Sequence, residues 1–153
     1  MENFNIEDIA IQPFTHWYLD DVTDIHTQVL DGWSKAGLEG DIANDTTHSY
    51  VAVYKEKAVA FCSFLVVDDA ELLFVCTNPD YRKLGIANKL LAESINLLPQ
   101  GINSVILEVS SQNNAAIKLY EKMGFTTLGK RKKFYSFPED DAIVMELVKG
   151  GVN

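Results

Sequence analysis

The sequence predicts a mixed α/β fold (an α+β mixed sheet with helices packed on it) in a single domain spanning residues 1–153, with elements ordered β-α-α-β-β-β-α-β-α-β-β. Three observations carry this. The 153 residues are 47% hydrophobic and 23% charged, which suits one substantial core and neither a disordered nor a fibrous chain. Short runs of strand formers alternate with stretches whose apolar residues recur every three or four positions. Between Glu71 and Phe125 the order is strand, glycine-containing turn, helix, strand, helix, a crossover unit that makes its two strands parallel and its hand right.

Taken in order, Asp8 to Gln12 reads as a short strand before Pro13. From Leu19 to Trp33, the residues Val22, Ile25, Val29, Leu30 and Trp33 follow helical spacing, Asp20 and Asp21 suit the positive end of the helix dipole, and Gly32 marks the end. Ser34 to Asn44, with Gly37 and Gly40, reads as a short helix or a loop. Ser49 to Tyr54 alternates, Lys55-Glu56-Lys57 turns, and Ala58 to Val67 is a longer apolar strand, giving a hairpin. Asp68-Asp69-Ala70 turns again into the strand Glu71 to Cys76, so three consecutive antiparallel strands are expected. Thr77-Asn78-Pro79-Asp80 closes the third with turn chemistry.

Ile86, Leu90, Leu91, Ile95 and Leu98 then recur at helical spacing, so a helix opens within or just after Tyr81 to Asn88 and Gly85 sits at its N terminus. The first backbone N–H groups of a helix lack internal partners and carry the positive end of its dipole, so they can hold an anion. Gly85 and the small Ala87 would let a pyrophosphate approach the backbone, with Arg82 and Lys83 adding charge. The same glycine equally serves a tight strand-to-helix connection, and this segment alone leaves both readings open.

Ile102 to Val109 is a second apolar strand with Glu108 near its end. A carboxylate there pairs with a cation, points to solvent, or sits in a cleft for proton chemistry. Gln112 to Phe125 reads as a helix capped by asparagines and ended by Gly124, with Ala116, Leu119, Tyr120 and Met123 on one stripe, where Tyr120 is by default a core aromatic. Phe125 to Phe134 and Ala142 to Val148 form the last strands, separated by Ser136 to Asp141, and Gly150 to Asn153 is read as a loose tail.

Arg82-x-x-Gly85-x-Ala87 resembles the pyrophosphate loop of the GNAT superfamily of N-acetyltransferases. Leu107-Glu108-Val109 followed by Asn113-x-x-Ala116-x-x-Leu119-Tyr120-x-x-x-Gly124-Phe125 resembles its second half, nearest to the RimI-like, ribosomal-protein alanine N-acetyltransferase branch. Arg82 stands where glutamine is common, Ala87 where glycine is commoner, and Ser110 where that branch usually has arginine. The resemblance runs from about Tyr50 to Leu147, and it implies a GNAT-type acyl-CoA N-acyltransferase fold with acetyl-CoA as co-substrate. It also implies that Val75, Cys76 and Thr77 offer backbone groups to the pantetheine arm, and that Lys83, Leu84, Gly85, Ile86, Ala87 and Asn88, beside Arg82, hold the phosphates. By the same resemblance Asn113 contacts the cofactor, Glu108 is the base, Tyr120 is the acid, and Trp33 and its neighbours are candidate substrate walls.

The remaining features narrow the class. A formal charge of −9 opposes a general nucleic-acid binder and suits a cationic amine acceptor. No apolar run approaches the roughly 20 residues of a membrane span, and the first residues lack a signal-peptide pattern, so a cytoplasmic protein with no membrane partner is expected. Cys62 and Cys76 lie in apolar runs and read as reduced, buried thiols; a catalytic thiol has no histidine or basic helix start arranged for it. No histidine or cysteine cluster has metal-ligand spacing, and none is expected to bind metal. His16 and His26 read as surface or core packing. Lys130 to Lys133 is the one basic run, read as a solvated strand end or as a phosphate or partner contact. The glycine segment lacks the Gly-Lys-Ser/Thr ending of a nucleoside-triphosphate site.

The expected reaction is direct acetyl transfer from acetyl-CoA to a primary amine. Glu108 would take the ammonium proton, and Tyr120 would protonate the departing thiolate. By resemblance the acceptor is the α-amine of a protein N terminus, with a small amine, a lysine side chain or a non-catalytic CoA-binding domain as alternatives.

Overall fold

A computed structural model of the chain describes residues 3–29, 35–136 and 139–149. The expected end of the first helix at Gly32, the substrate-wall candidate Trp33 and the loose tail at 150–153 lie outside the described residues. The described residues fall into two compact units, drawn from Met1–Val66 with Leu73–Leu98 and from Val67–Leu72 with Pro99–Asn153.

The first unit contains β1 (Ala10–Pro13), α1 (Leu19–Val29), α2 (Lys35–Ala43), β2 (Thr47–Tyr54), β3 (Lys57–Val66), the larger part of β4 (Ala70–Thr77), and α3 (Ile86–Leu97). Its strands follow the order β1-β2-β3-β4, with β1 and β3 both antiparallel to β2. Lys55 and Glu56 make the expected turn between β2 and β3 with φ of 49° and 70°, left-handed values reached here without glycine. The stretch that the sequence left as helix or loop is α2, whose Leu38 is buried.

The alternation in β2 and β3 does not separate a wet face from a dry one. Tyr50 to Tyr54 and Ala58 to Phe64 are all buried, because side chains alternate between two covered faces. One face joins Val22, Ile25 and Leu38 of the helices to Val51 and Phe61. The other meets α3, whose Ile86, Leu90, Leu91 and Ile95 are buried. There Cys62 Sγ bonds Ser94 Oγ at 3.5 Å, and the Tyr50 hydroxyl donates to the Leu97 carbonyl at 3.4 Å. Asp21 of α1 accepts from the Ala58 amide at 3.0 Å, beside a bulge where Ala52 pairs with Ala60 but Val53 pairs with Ala58.

The second unit takes up β4 at Ala70–Leu72 and continues through β5 (Ser104–Ser110), α4 (Asn114–Met123), β6 (Thr126–Ser136) and β7 (Glu139–Val148). The strand order is β4-β5-β7-β6. Ala70 and Glu71 pair in parallel with Val105 and Ile106, as the crossover required, and β7 runs antiparallel to both β5 and β6. Ser136 and Glu139 to Asp141 are strand residues, whereas the sequence read them as connection. Tyr135 pairs with Asp140 and Ser136 with Glu139, so the ladder extends to those residues. Backbone bonds hold that end of the ladder whatever the side chains, and a strand at the sheet edge accommodates charge. β6 also slips by one residue at Leu128: Thr127 faces Met145, yet Gly129 faces Val144. The element order is the one the sequence predicted.

Candidate active site

Gly85 is the N-cap of α3, with φ of 86°, and no side chain caps the helix there. The amides of Ile86, Ala87 and Asn88 open the helix and have no acceptor inside it, while the next amide, Lys89 N–H, bonds the Gly85 carbonyl at 3.2 Å. No acidic residue occupies the first turn, and no atom lies within 4 Å of the position a Cβ on Gly85 would take. Lys83 also has a left-handed backbone, at φ 64°, a conformation that costs a non-glycine residue about 1–3 kcal/mol. Arg82 and Lys83 are exposed. Bare amides, absent carboxylates and two cations together fit a diphosphate.

β4 leads into this loop. Val75 and Thr77 are half-buried, and Cys76 is buried in the cluster with Val22, Ile25 and Phe61. Of Cys76, therefore, only the backbone is available to a ligand. Desolvation pushes its thiol up to about 12 despite the opposing charge of Arg82, and burial drives Cys62 to about 12 as well. Neither is a nucleophile near neutrality. After β4, the Asn78 amide donates to the Val59 carbonyl at 2.8 Å, and its side chain caps the Asp80 amide at 2.9 Å, setting the turn that carries the chain to Arg82.

Beside that turn is a cleft of about 270 Å³ lined by Asp21, Asp24 and Asp80 among others. Three carboxylates make it unfit for phosphate, so the anion belongs on the Arg82 side of the turn.

In the second unit Glu108 sits on β5 opposite Val144, half-buried, and Arg131 Nη1 of β6 donates to its Oε1. Asn113 is the N-cap of α4: its Oδ1 accepts from the Ala116 amide at 3.2 Å, leaving its side-chain NH2 as the donor for a ligand. Gly124 ends α4 at φ 107°, with the Phe125 amide returning to the Tyr120 carbonyl at 3.0 Å. Tyr120 is buried, its ring 5.7 Å from that of Phe125. The predicted residues thus form two groups, Val75–Thr77 with Arg82–Asn88 in the first unit and Glu108, Asn113 and Tyr120 in the second.

Two side chains that the sequence reading passed over matter to these groups. Lys89 turns away from the anion site to donate to the Ile6 and Ile9 carbonyls at 3.1 and 2.8 Å, so the charge at the start of α3 comes from the loop and not from the helix. Arg131, in the basic run, is Glu108's partner, while Lys130 lies 3.7 Å from Asp141. Both are exposed residues of β6 that reach a carboxylate. Of the histidines, His26 is fully buried against the rings of Phe61 and Phe74, and His16 is at the surface, 3.6 Å from Glu39. Among the described residues no group of three or more His, Cys, Asp or Glu is arranged to hold a metal, and no helix is long and apolar enough to cross a membrane.

Comparison with known proteins bears on the fold and the family. The family model described as the acetyltransferase (GNAT) family matches residues 6–125. The [ribosomal protein bS18]-alanine N-acetyltransferase of Haemophilus ducreyi is 35% identical over 124 residues, which cover 75% of this chain and 82% of that protein. The crystal structure of the ribosomal-protein-S18-alanine N-acetyltransferase from Escherichia coli superposes with a TM-score of 0.84 at 27% identity, covering 95% of this chain and 96% of that one. Arabidopsis thaliana NAA60 in complex with acetyl-CoA shares the fold, with a TM-score of 0.79 at 20% identity over 94% of this chain and 99% of that one. A family match across most of the sequence, with acetyl-CoA as the co-substrate its amide-lined loop fits, means that the chain belongs to the acetyltransferase (GNAT) family as an acetyl-CoA-dependent N-acetyltransferase.

Proposed function

We propose that the protein transfers the acetyl group of acetyl-CoA directly to the α-amine at the N terminus of a protein, an alanine-initiated ribosomal protein, in the cytoplasm. The observation that carries this reading is the 35% identity to a ribosomal-protein bS18 alanine N-acetyltransferase over 82% of that enzyme's length.

Chemistry favours the same acceptor. At pH 7 about one α-amine in seven is neutral, against roughly one lysine side chain in 2,500. Modest help from a carboxylate is enough to release the nucleophile in the first case and far from enough in the second. Glu108 supplies that help, taking the proton directly or through one water. The amides of Ile86 to Asn88, with Leu84, Gly85, Arg82 and Lys83, grip the diphosphate. Backbone groups of Val75, Cys76 and Thr77 orient the arm and polarise the thioester carbonyl. The Asn113 side-chain NH2 adds a donor to the cofactor, and Tyr120 returns a proton to the departing sulfur. Acetyl-CoA supplies the activated acyl group, and the high thiol pKa values at Cys62 and Cys76 support direct transfer over a protein thioester.

The test is release of free CoA thiol with short peptides differing at residue 1, together with an Nα-blocked lysine peptide and a set of small amines. The alanine-initiated peptide is expected to react fastest. Faster turnover of the blocked lysine peptide or of a small amine would overturn the reading.

A further inference from the structure

Glu108 and Arg131 are two strands apart, and their meeting depends on the slip in β6. On β7, Val144 lies between Glu108 of β5 and Gly129 of β6, and Ala142 lies between Ser110 and Arg131. Directly opposed residues point to one face, and so do residues two apart along a strand. Glu108, Gly129, Arg131, Ala142 and Val144 therefore share a face. Gly129 brings no side chain and Ala142 only a methyl, which leaves an arginine room to cross β7, a span of about 10 Å. Without the extra residue at Leu128, Lys130 would face Ala142 and Arg131 would point to the other side. The bulge thus selects the planar guanidinium rather than the lysine ammonium for this contact.

Two further carboxylates hold positions on that face. Across Ile106, Glu71 of β4 and Glu146 of β7 hold positions on the same face, and the charged residues of α4, Lys118, Glu121 and Lys122, are exposed. Arg131 donates to Glu108 Oε1 on this face.

We propose that Arg131 is a positioning residue for the reaction, fixing the Glu108 carboxylate in the orientation from which it takes the acceptor's proton. This rests on the reading of Glu108 as the base. One carboxylate oxygen is tied to the guanidinium, so the other is held toward the amine or its bridging water. The charge-assisted hydrogen bond from the planar guanidinium gives that orientation a fixed geometry.

The experiment is the pH dependence of kcat/KM and kcat for wild type, Arg131→Gln, Arg131→Lys, Glu108→Gln and the double variant Glu108→Gln/Arg131→Gln, with CD melts as a folding control. Arg131→Gln should lower kcat about tenfold or more and leave KM for acetyl-CoA within about twofold. Arg131→Lys should recover only part of kcat, because a lysine lacks the planar fork, and it keeps a charged residue in the strand if the glutamine variant fails to fold. Arg131→Gln should cost nothing further once Glu108 is Gln. Wild-type kcat in Arg131→Gln, with the acidic limb abolished in Glu108→Gln, would overturn the role of Arg131 and leave the base intact. An intact limb in Glu108→Gln would overturn the base and the proposal with it.

Discussion

The Nζ of Lys89 donates to two carbonyls at once, Ile6 at 3.1 Å and Ile9 at 2.8 Å. These belong to the short 3-10 turn Ile6–Asp8 and to the residue that follows it, just ahead of β1, so one side chain pins the start of the chain to the helix that opens at Gly85. Hydrogen bonds to a charged donor contribute about 1.5–3 kcal/mol, and Lys89→Met should therefore lower stability by about 2 kcal/mol. For a domain of this size that is a fall in Tm of roughly 4–8 °C. Amide exchange should speed up across residues 6–12. Unchanged protection there would mean that the β1–β2 ladder alone holds the segment.

Gly85→Ala separates backbone cost from ligand cost. With φ at 86° and open space where the Cβ would go, the folded protein should lose only about 1–2 kcal/mol, all of it conformational. The methyl would, however, stand where the diphosphate approaches the amides, so titration calorimetry should show acetyl-CoA binding weakened by roughly tenfold or more. Wild-type affinity in a folded Gly85→Ala protein would remove the diphosphate from this helix end.

Alkaline stability reports on the two thiols. Burial raises Cys62 and Cys76 from 9.0 to about 12 in the folded protein. An acid whose folded pKa is raised stabilises the fold in full below its unfolded value, here 9.0, and that contribution is lost as the pH rises toward about 12. Within this window each thiol should steepen the decline by about 1.4 kcal/mol per pH unit. Urea melts of wild type and a Cys62→Ala/Cys76→Ala variant between pH 8 and 11 would measure it, the variant showing the shallower slope. Parallel slopes would mean that water reaches the thiols. The variant should also keep its acetyltransfer, whereas loss of turnover with intact acetyl-CoA binding would indicate an acyl-thioester route.

Tyr120→Phe tests the proton donor. The ring is buried and packs near Phe125, so phenylalanine should preserve the packing and the melting temperature. Turnover should drop about 100-fold, while acetyl-CoA affinity stays within about twofold. Equal loss of both would return Tyr120 to a packing role.

The elements legible in the sequence were those written by local chemistry. Asn113 and Gly124 bracket α4 because an asparagine cap and a left-handed glycine each satisfy groups within a few residues. Gly85 at the head of α3 was legible for the same reason. What the sequence did not disclose depends on strand register. Gly129 inside a strand hints at an irregularity but does not place the extra residue, so Leu128-Gly129-Lys130-Arg131 does not tell which of the two basic residues reaches the face of Glu108. The continuation of β6 and β7 to Ser136 and Glu139 was hidden by a charged stretch that reads as loop, since ladder bonds are blind to side chains. Lys89 looked like one more helical lysine because its acceptors lie some eighty residues earlier in the chain.

The two covered faces of β2 and β3 bear on how this sequence can drift. From Tyr50 to Tyr54 and from Ala58 to Phe64 there is no wet position at which a passenger change could settle, and each replacement must repack one helix layer or the other. A saturation library screened for folded protein should return few survivors in those two stretches and many along exposed β6 positions such as Leu128. New acceptor preferences would then arise by altering the periphery while this central hairpin stays fixed.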